Sequence, residues 1–475
     1  MVFSDLAFLP FFLVVFGAIV LNRYTWKSLR AQNLLYVAAS YYFYAQWDWR
    51  FLSLLIISTL LDYIVGWQIE HDARHRRRWL ALSVTGNLGI LGFFKYYNFF
   101  VSEAVAGLQS LGIHASAPAL NIILPVGISF YTFQTMTYAL DIYRGQMKAT
   151  RDLVAFATYV AFFPQLVAGP IERAANLLEQ FERLWRFDEK KFTEGLRLVL
   201  FGLALKIGVA DKLAPVVERI FDNPGSHDGG TLALGSVYFA FQIYGDFCGY
   251  STIAIGIAKI LGVELMTNFS TPYFATSPQD FWRRWHISLS TFFRDYLYIP
   301  LGGSRTTPLK ADRNALVTFT VSGLWHGANW TFIVWGFYHG LLLVLQRRLA
   351  ALRLPRLAAA PATALSMGLT FVLVCIGWVL FRSPSLAHAF GYLAGIVSRA
   401  SLPQEHRSAL LYVLLAVAID YIWRNDTRLE TVTAPGPRPG PRLLLRWTSY
   451  VLLFWIIVTG IASREGVQQF IYFQF

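Results

Sequence analysis

An all-α polytopic integral membrane protein is the fold class this chain predicts, and three observations predict it. Hydrophobic residues make up 55% of the 475 and charged residues only 15%, with a mean hydropathy of +0.45. Soluble domains carry about 25% charged residues. Continuous apolar runs such as Phe8–Leu21 and Leu52–Leu61 recur, without the strict alternation of apolar and polar residues that marks a membrane barrel. Short loops separate the runs, and no stretch has the composition of a soluble domain. A single domain over residues 1–475 is therefore expected, with about 11 spanning helices of roughly 20 residues plus re-entrant or interfacial pieces.

Taken in order, Asp5–Leu21 reads as the first span. No basic residue precedes it, so it reads as an uncleaved helix starting outside. Arg23, Lys27 and Arg30 follow it in a first basic loop. Asn33–Trp47 and Phe51–Gln68 read as the next two spans, turning at Asp48. Arg74, Arg76, Arg77 and Arg78 form a second basic loop on the same side, and Trp79–Phe100 returns outward. Leu120–Ile142 is apolar but holds Pro125, Gly127 and Asp141. Leu153–Ala168 ends at Gly169–Pro170. Glu172–Lys191 is polar and reads as an amphipathic or surface-lying helix with loop. Phe192–Lys212 carries Lys206 and Asp211, and Asn223–Gly230 is a turn. Leu232–Gly262 carries Asp246 and reads as broken at Gly249.

Residues 272–303 look least like a plain span, because aromatics alternate there with Arg283, Arg284, His286, Arg294 and Asp295. Irregular backbone survives at membrane depth only when buried in protein or facing a cavity, so this region reads as re-entrant or membrane-surface helices. Leu316–Leu349, Thr363–Phe381, Ala409–Trp423 and Trp447–Ile461 read as later spans, the last two joined by the proline-rich Pro435–Pro441. No internal repeat is evident, which counts against many transporter folds.

The net charge of +13 fits cytoplasmic loops obeying the positive-inside rule rather than nucleic-acid binding. Cys248 and Cys375 are distant and apolar in context, which suits neither a disulfide framework nor a metal site. No Walker loop, dinucleotide-binding glycine pattern or HExxH sequence occurs, so no bound cofactor and no metal are expected.

The chemistry-bearing candidates are few. His326 lies in Leu-Trp-His-Gly-Ala-Asn-Trp-Thr-Phe (Leu324–Phe332), and an imidazole in hydrocarbon must face protein or a water-filled cavity. Gly323 and Gly327, and Gly336 and Gly340, have the small-xxx-small spacing that lets helices approach closely. A continuous helix would put Asn329 and Trp330 on the His326 face, Asn329 to fix the ring or a carbonyl, Trp325 and Trp330 to wall a passage. The plainer alternative is a histidine hydrogen-bonded between helices. His339 falls off that face and reads as structural. His286 follows Trp282, Arg283, Arg284 and Trp285; two arginines among tryptophans suit an anionic group or an interfacial helix on anionic lipid. Asp246 is an intramembrane carboxylate that could pair with an arginine near His286 or orient a histidine; a structural ion pair is the alternative. Lys206 and Asp211 read as a local pair or as snorkelling to an interface. Cys248 is a thioester candidate whose plainer reading is a small hydrophobe.

At these residues the chain resembles the membrane-bound O-acyltransferase family, in its alginate O-acetyltransferase branch. The resemblance is carried by Leu124–Tyr131 (LPVGISFY), Val167–Glu172 (VAGPIE), Phe281–Ser290 (FWRRWHISLS), Phe293–Gly303 (FRDYLYIPLGG), Leu324–Phe332 (LWHGANWTF) and Ile471–Phe475 (IYFQF). It spans nearly the whole chain, with the signature core at about residues 120–345. Where the branch has Phe-Asp-Phe-Ser-Gly-Tyr-Ser-Asp, this chain departs with Gly245, Cys248 and Thr252, and cellulose-acetylating relatives share the motifs, so the polymer stays open.

The resemblance implies that His326 is the family's active-site histidine and His286 its second signature histidine, set around a tunnel in a multi-pass protein of the bacterial cytoplasmic membrane. It implies an acetyl donor such as acetyl-coenzyme A on the cytoplasmic side. The acceptor would be a serine of a periplasmic SGNH-hydrolase-like partner, or a polysaccharide hydroxyl directly, within an exopolysaccharide synthesis and export complex. On that basis His326 is expected to act as general base, Arg283 and Arg284 to meet the donor's phosphates, His286 to polarise its carbonyl, and Asn329 to help hold the oxyanion. A lipid or D-alanyl transferase of the same superfamily, a transporter and a non-catalytic export component remain as alternatives.

Overall fold

The computed structural model describes residues 1–116, 120, 122–351, 359–426, 441–463 and 470–471. Every regular element among them is helical. In chain order the helices are α1 (Phe8–Tyr24), α2 (Leu29–Asp48), α3 (Leu52–His71), α4 (Arg76–Leu91), α5 (Tyr97–Ser110), α6 (Ile128–Tyr143), α7 (Leu153–Ala161), α8 (Phe163–Leu166), α9 (Ala174–Leu177), α10 (Glu189–Leu205), α11 (Asp211–Asp222), α12 (Gly229–Ile260), α13 (Pro278–Arg284), α14 (Ile287–Phe293), α15 (Pro308–His326), α16 (Trp330–Ala351), α17 (Ala359–Arg382), α18 (Leu386–Ser398), α19 (Leu410–Asp426) and α20 (Pro441–Ala462). Among the described residues, two stretches are long and apolar enough to cross a membrane by length and composition: Leu29–His71, which contains α2 and α3, and Pro361–Arg382 within α17. Shorter apolar helices include Phe8–Tyr24, Leu153–Leu166, Leu386–Ser398 and Trp447–Ala462. The all-helical class is observed, whereas the expected number of about 11 spans is not reached by length and hydropathy. Several of the other apolar segments are shorter or carry charges.

The chain forms two compact units, one of Met1–Leu196 with Ala254–Met266, the other of Arg197–Ile253 with Thr267–Phe475. In the first, α3 packs on α4 and α6, and α2 packs on α7. Several of its buried polar groups are paired. Asp62 accepts from Ser83 and from Asn87 Nδ2 at 2.7 Å, and Ser58 donates to Asn87 at 2.8 Å. The Glu172–Lys191 stretch is not a surface-lying amphipathic helix. It holds only α9 and a 3-10 turn (Leu178–Glu182) before α10 begins. Phe181 and Trp185 are buried. The segment is tied to α2 through Asn33 Nδ2 to the Phe181 carbonyl (2.8 Å) and the Trp185 N–H to Gln32 (2.7 Å). Apolar burial and these backbone bonds outweigh the segment's polar composition.

In the second unit, α12 runs through Gly249 without a break. A lone glycine costs a helix roughly 1 kcal/mol, and here it permits close packing on α10. A Cβ at Gly249 would lie 2.7 Å from the Gly202 carbonyl oxygen, and one at Gly202 2.6 Å from that of Gly249. Asp228, just ahead of α12, accepts from the Thr231 hydroxyl (2.6 Å) and N–H (3.0 Å), which hold its carboxyl well below the usual range. Residues 272–303 form short pieces, α13, α14 and a π-turn (Arg294–Tyr298), as the irregular sequence implies.

Helices α15 and α16 form a tight hairpin, and its glycines are the reason. Gly323 and Gly336 face each other so closely that a Cβ on Gly323 would lie 3.0 Å from the Gly336 Cα, and a Cβ on Gly336 would lie 2.2 Å from the Phe319 carbonyl oxygen. The Pro435–Pro441 loop, up to residue 440, and all of the closing motif beyond Ile471 lie outside the described residues.

Gly336→Leu is expected to destabilise the protein by about 3 kcal/mol, read as a lowered melting temperature in detergent. Gly368→Ala in α17, where a Cβ meets nothing within 4 Å, is expected to leave stability unchanged or raise it by about 0.5–1 kcal/mol. Equal melting temperatures for the two variants would contradict the glycine-packing account.

Candidate active site

His326 is the last residue of α15. The helix stops there because Gly327 is extended, at φ −164° and ψ 154°. Only a glycine fits, since a Cβ at 327 would lie 2.1 Å from the Phe332 ring. The His326 side chain is buried among aromatic rings: Trp325 at 4.9 Å between centroids, Trp335 at 5.0 Å and nearly perpendicular, and Phe381 at 5.4 Å. Trp335 stands opposite because the glycine contact sets the register of α15 on α16.

His286 precedes α14 with a left-handed backbone, φ 43° and ψ 55°, a conformation that costs a non-glycine residue energy. Hydrogen bonds around Asn268 hold it there. The Ile287 N–H donates to the Asn268 carbonyl (2.9 Å), while His286 Nδ1 (3.1 Å) and the Ser288 hydroxyl (3.0 Å) converge on Asn268 Oδ1. With an amide oxygen as partner, Nδ1 carries the proton and Nε2 is the basic nitrogen. The ring is fully buried, perpendicular to Phe247 at 4.7 Å and 6.1 Å from Trp325. The two histidines that the sequence singles out thus contact the same indole, that of Trp325.

A cavity of about 730 Å³ adjoins this cluster, within the range of small-molecule sites. Trp282, Arg283, Arg294, Phe319, Ser322 and Gln346 help line it. Ser322 is one helical turn before His326, and the Trp282 ring is 5.7 Å from Trp335. Arg283 is exposed at the cavity. Arg284 is not among its lining residues and pairs with Asp280 at 2.9 Å. Arg294 and Arg347 also line it but pair with Asp295 (2.7 Å) and Asp312 (2.8 Å). Trp285 points elsewhere, into a buried stack with Phe281 (5.6 Å) and Trp378 (4.8 Å).

Two expectations need correction. Asn329 does not share a face with His326, because the helix has ended. Its amide donates to the Pro384 carbonyl (3.0 Å) and its Oδ1 accepts from the Thr331 N–H (3.0 Å), capping α16. Trp330 is 48% exposed and lines no passage beside His326. Asp246 takes the alternative that the sequence leaves open, a structural ion pair, with no arginine or histidine partner among the described residues. It binds Lys206, which also holds Asp211 at 2.9 Å, and it accepts the Ile471 N–H at 2.6 Å. These groups line a small polar pocket of about 110 Å³ with Glu218, Gln242 and Arg382. A buried cation between two carboxylates offsets part of the cost of burying the three charges, so the local pairing of Lys206 with Asp211 holds and Asp246 joins it. Cys248 is buried with Thr252 as neighbour at 3.8 Å. No group of His, Cys, Asp or Glu that could hold a metal occurs among the described residues.

Sequence reasoning missed Asn268, Trp335, Trp378 and Phe381. The indole nitrogens of Trp282, Trp335 and Trp378 and Nε2 of His339 are buried with no hydrogen-bond partner among the described residues. A buried donor left so costs roughly 1–3 kcal/mol. These rings touch one another: Trp282 and His339 at 5.0 Å, Trp335 and His339 at 5.0 Å, Trp335 and Trp378 at 6.0 Å. The glycine spacing could have signalled that Trp335 faces α15. Nothing in the sequence signals Trp378.

Two buried histidines that contact one indole, in a unit that also holds a cavity, within an all-helical apolar protein agree with the match found for the chain. The membrane-bound O-acyltransferase family model covers residues 146–383, and the chain belongs to that family; it is an O-acyltransferase of the membrane. It is 43% identical over 437 residues to a probable alginate O-acetylase AlgI of Azotobacter vinelandii, covering 88% of this chain and 84% of the relative. It is 38% identical over the full length of both chains to the Pseudomonas putida protein of the same description. A peptidoglycan O-acetyltransferase of Helicobacter pylori is 34% identical, over 85% of this chain and 80% of its own.

Lys206→Met removes the cation from two buried carboxylates. It is expected to cost about 3–5 kcal/mol, with part of the loss recovered by adding Asp246→Asn. Thermal unfolding of the purified variants measures both; a single variant within about 1 kcal/mol of wild type would mean that the triad is solvated.

Proposed function

We propose that the protein moves an acetyl group from an activated donor on the cytoplasmic side, of the acetyl-coenzyme A class, through an intramembrane passage to a hydroxyl acceptor on the opposite side, for O-acetylation of an exopolysaccharide such as alginate or cellulose. The acceptor is a serine of a periplasmic partner of the SGNH-hydrolase type, or a polymer hydroxyl directly. The observation that carries the reading is the cavity bounded by Arg283 at an exposed position and by Ser322 one turn from His326, in the unit that also holds His286. The relatives named for alginate and peptidoglycan O-acetylation support acetyl as the group and a bacterial polymer as its destination.

In this reading the donor's anionic carrier meets Arg283, and its thioester end lies toward His326. His326 takes the proton from the acceptor hydroxyl as the oxygen attacks the carbonyl carbon. The carbon–sulfur bond then breaks, the sulfur leaves with the proton from His326, and an ester and a thiol result. His286, its Nδ1 committed to Asn268, orients the donor. The basic loops at Arg23–Arg30 and Arg74–Arg78 support the cytoplasmic placement of that side in a multi-pass protein of the bacterial cytoplasmic membrane.

The acetyl content of secreted polysaccharide in cells carrying His326→Ala tests this, with membrane abundance of the variant measured alongside. Loss of acetylation at normal abundance is expected. Wild-type acetylation would remove His326 from catalysis and favour a scaffold or transporter. Arg283→Ala is expected to raise the donor KM about tenfold, the loss of roughly one charge-assisted hydrogen bond, with kcat retained; an unchanged KM would mean that the donor's carrier binds elsewhere.

A further inference from the structure

The geometry points to Trp335 as the oxyanion donor: its indole N–H binds the carbonyl oxygen of the acyl group as that oxygen gains charge in the transfer step. The inference rests on the acyl-transfer reading of His326.

Acyl transfer needs a hydrogen-bond donor aimed where negative charge develops, and the amide nearest in sequence does not supply it. Asn329 is turned away, its two functional atoms spent on Pro384 and Thr331. Trp335 is 1% exposed, its ring stands nearly perpendicular to that of His326 at 5.0 Å, and its Nε1 has no hydrogen-bond partner among the described residues. Such a buried group in a native protein calls for a cause. An indole N–H only donates, so it fits a group that gains negative charge, and being neutral it brings no charge of its own into an apolar wall. Trp282 and Trp378, also with unpartnered indole nitrogens, touch Trp335 at 5.7 and 6.0 Å. Of the three, Trp335 is the one in ring contact with His326, and Trp282 links it to the large cavity.

In the step itself the acceptor oxygen bonds to the carbonyl carbon, its proton passes to His326, and the carbonyl π electrons move onto the oxygen, which receives the Trp335 N–H. Collapse of that intermediate returns the electron pair, expels the thiolate and delivers the proton from His326 to sulfur. No oxidant or further co-reactant enters.

The test compares two replacements of Trp335 that differ in the N–H. Trp335→Phe keeps an apolar ring without a donor; Trp335→His keeps a ring N–H in a smaller, more polar ring. Incorporation of labelled acetate into secreted polysaccharide is measured per unit of full-length protein in the membrane, with melting temperatures of the purified variants and His326→Ala in parallel. The Phe variant is expected to be slower by about 10²–10³-fold, the loss typical of removing one oxyanion donor. The His variant should be at least about tenfold faster than the Phe variant although it melts no higher, since a packing role would rank activity with stability. A Phe variant at the wild-type rate, or activities that follow melting temperature, would overturn the inference. If His326→Ala incorporates acetate normally, the acyl-transfer reading itself fails; if only the Trp335 variants do, this inference alone fails.

Discussion

The contact between Gly323 and Gly336 is the constraint on which the site depends. Two backbones 3.0 Å from an ideal Cβ position cannot slide past each other without a clash. That fixes α15 against α16, and with it the register that faces Trp335 to His326. The same hairpin explains why His326 ends its helix. Phe332 occupies the space that a side chain at 327 would need, so the chain must turn at Gly327, and the imidazole is left at a helix end rather than within a turn of hydrogen-bonded backbone.

Some buried polar groups of the protein are paired and others are not. Asp62 is paired with Ser83 and Asn87 in the first unit, and Lys206 with Asp211 and Asp246 in the second. Pairing of this kind offsets desolvation and adds little else. In the aromatic cluster that reaches His326 through Trp335, three indoles and one imidazole bury nitrogens without partners among the described residues. Aromatic rings suit such a wall, because they exclude water through large apolar faces and still offer a donor at one edge. His286 adds a second departure from ease, a left-handed backbone held by Asn268. Strain and unpaired donors gathered within one unit are what local rules disfavour and functional sites retain.

Much of this was legible in the sequence. Composition alone gives the all-helical membrane class, and the motifs around His286 and His326 give the family. The spacing of Gly323, Gly327, Gly336 and Gly340 announces close helix packing, and the mixed-charge stretch 272–303 announces irregular structure. These features are local: each is a property of residue type and of intervals within a turn or two of chain. The errors are of one kind as well. Continuing α15 past Gly327 misplaces Asn329 and Trp330, the packed Gly249 leaves α12 unbroken, and the burial of Phe181 and Trp185 takes Glu172–Lys191 off the surface.

Residue type and short spacing therefore settle the class of the protein, single out His286 and His326 among its nine histidines, and give α15 and α16 the capacity to approach. The packing of distant segments decides that Asp246 belongs to Lys206, that Asn268 meets Nδ1 of His286, and that Trp378 backs Trp335 beside His326. The physical reason is sequence separation. Asp246 and Lys206 are two helices apart, Asn268 lies in a loop eighteen residues from its partner, and Trp378 comes from a helix beyond the hairpin. Such partners are selected by which faces pack together after the helices form, a choice made by the summed burial of many side chains and by no short pattern in the chain.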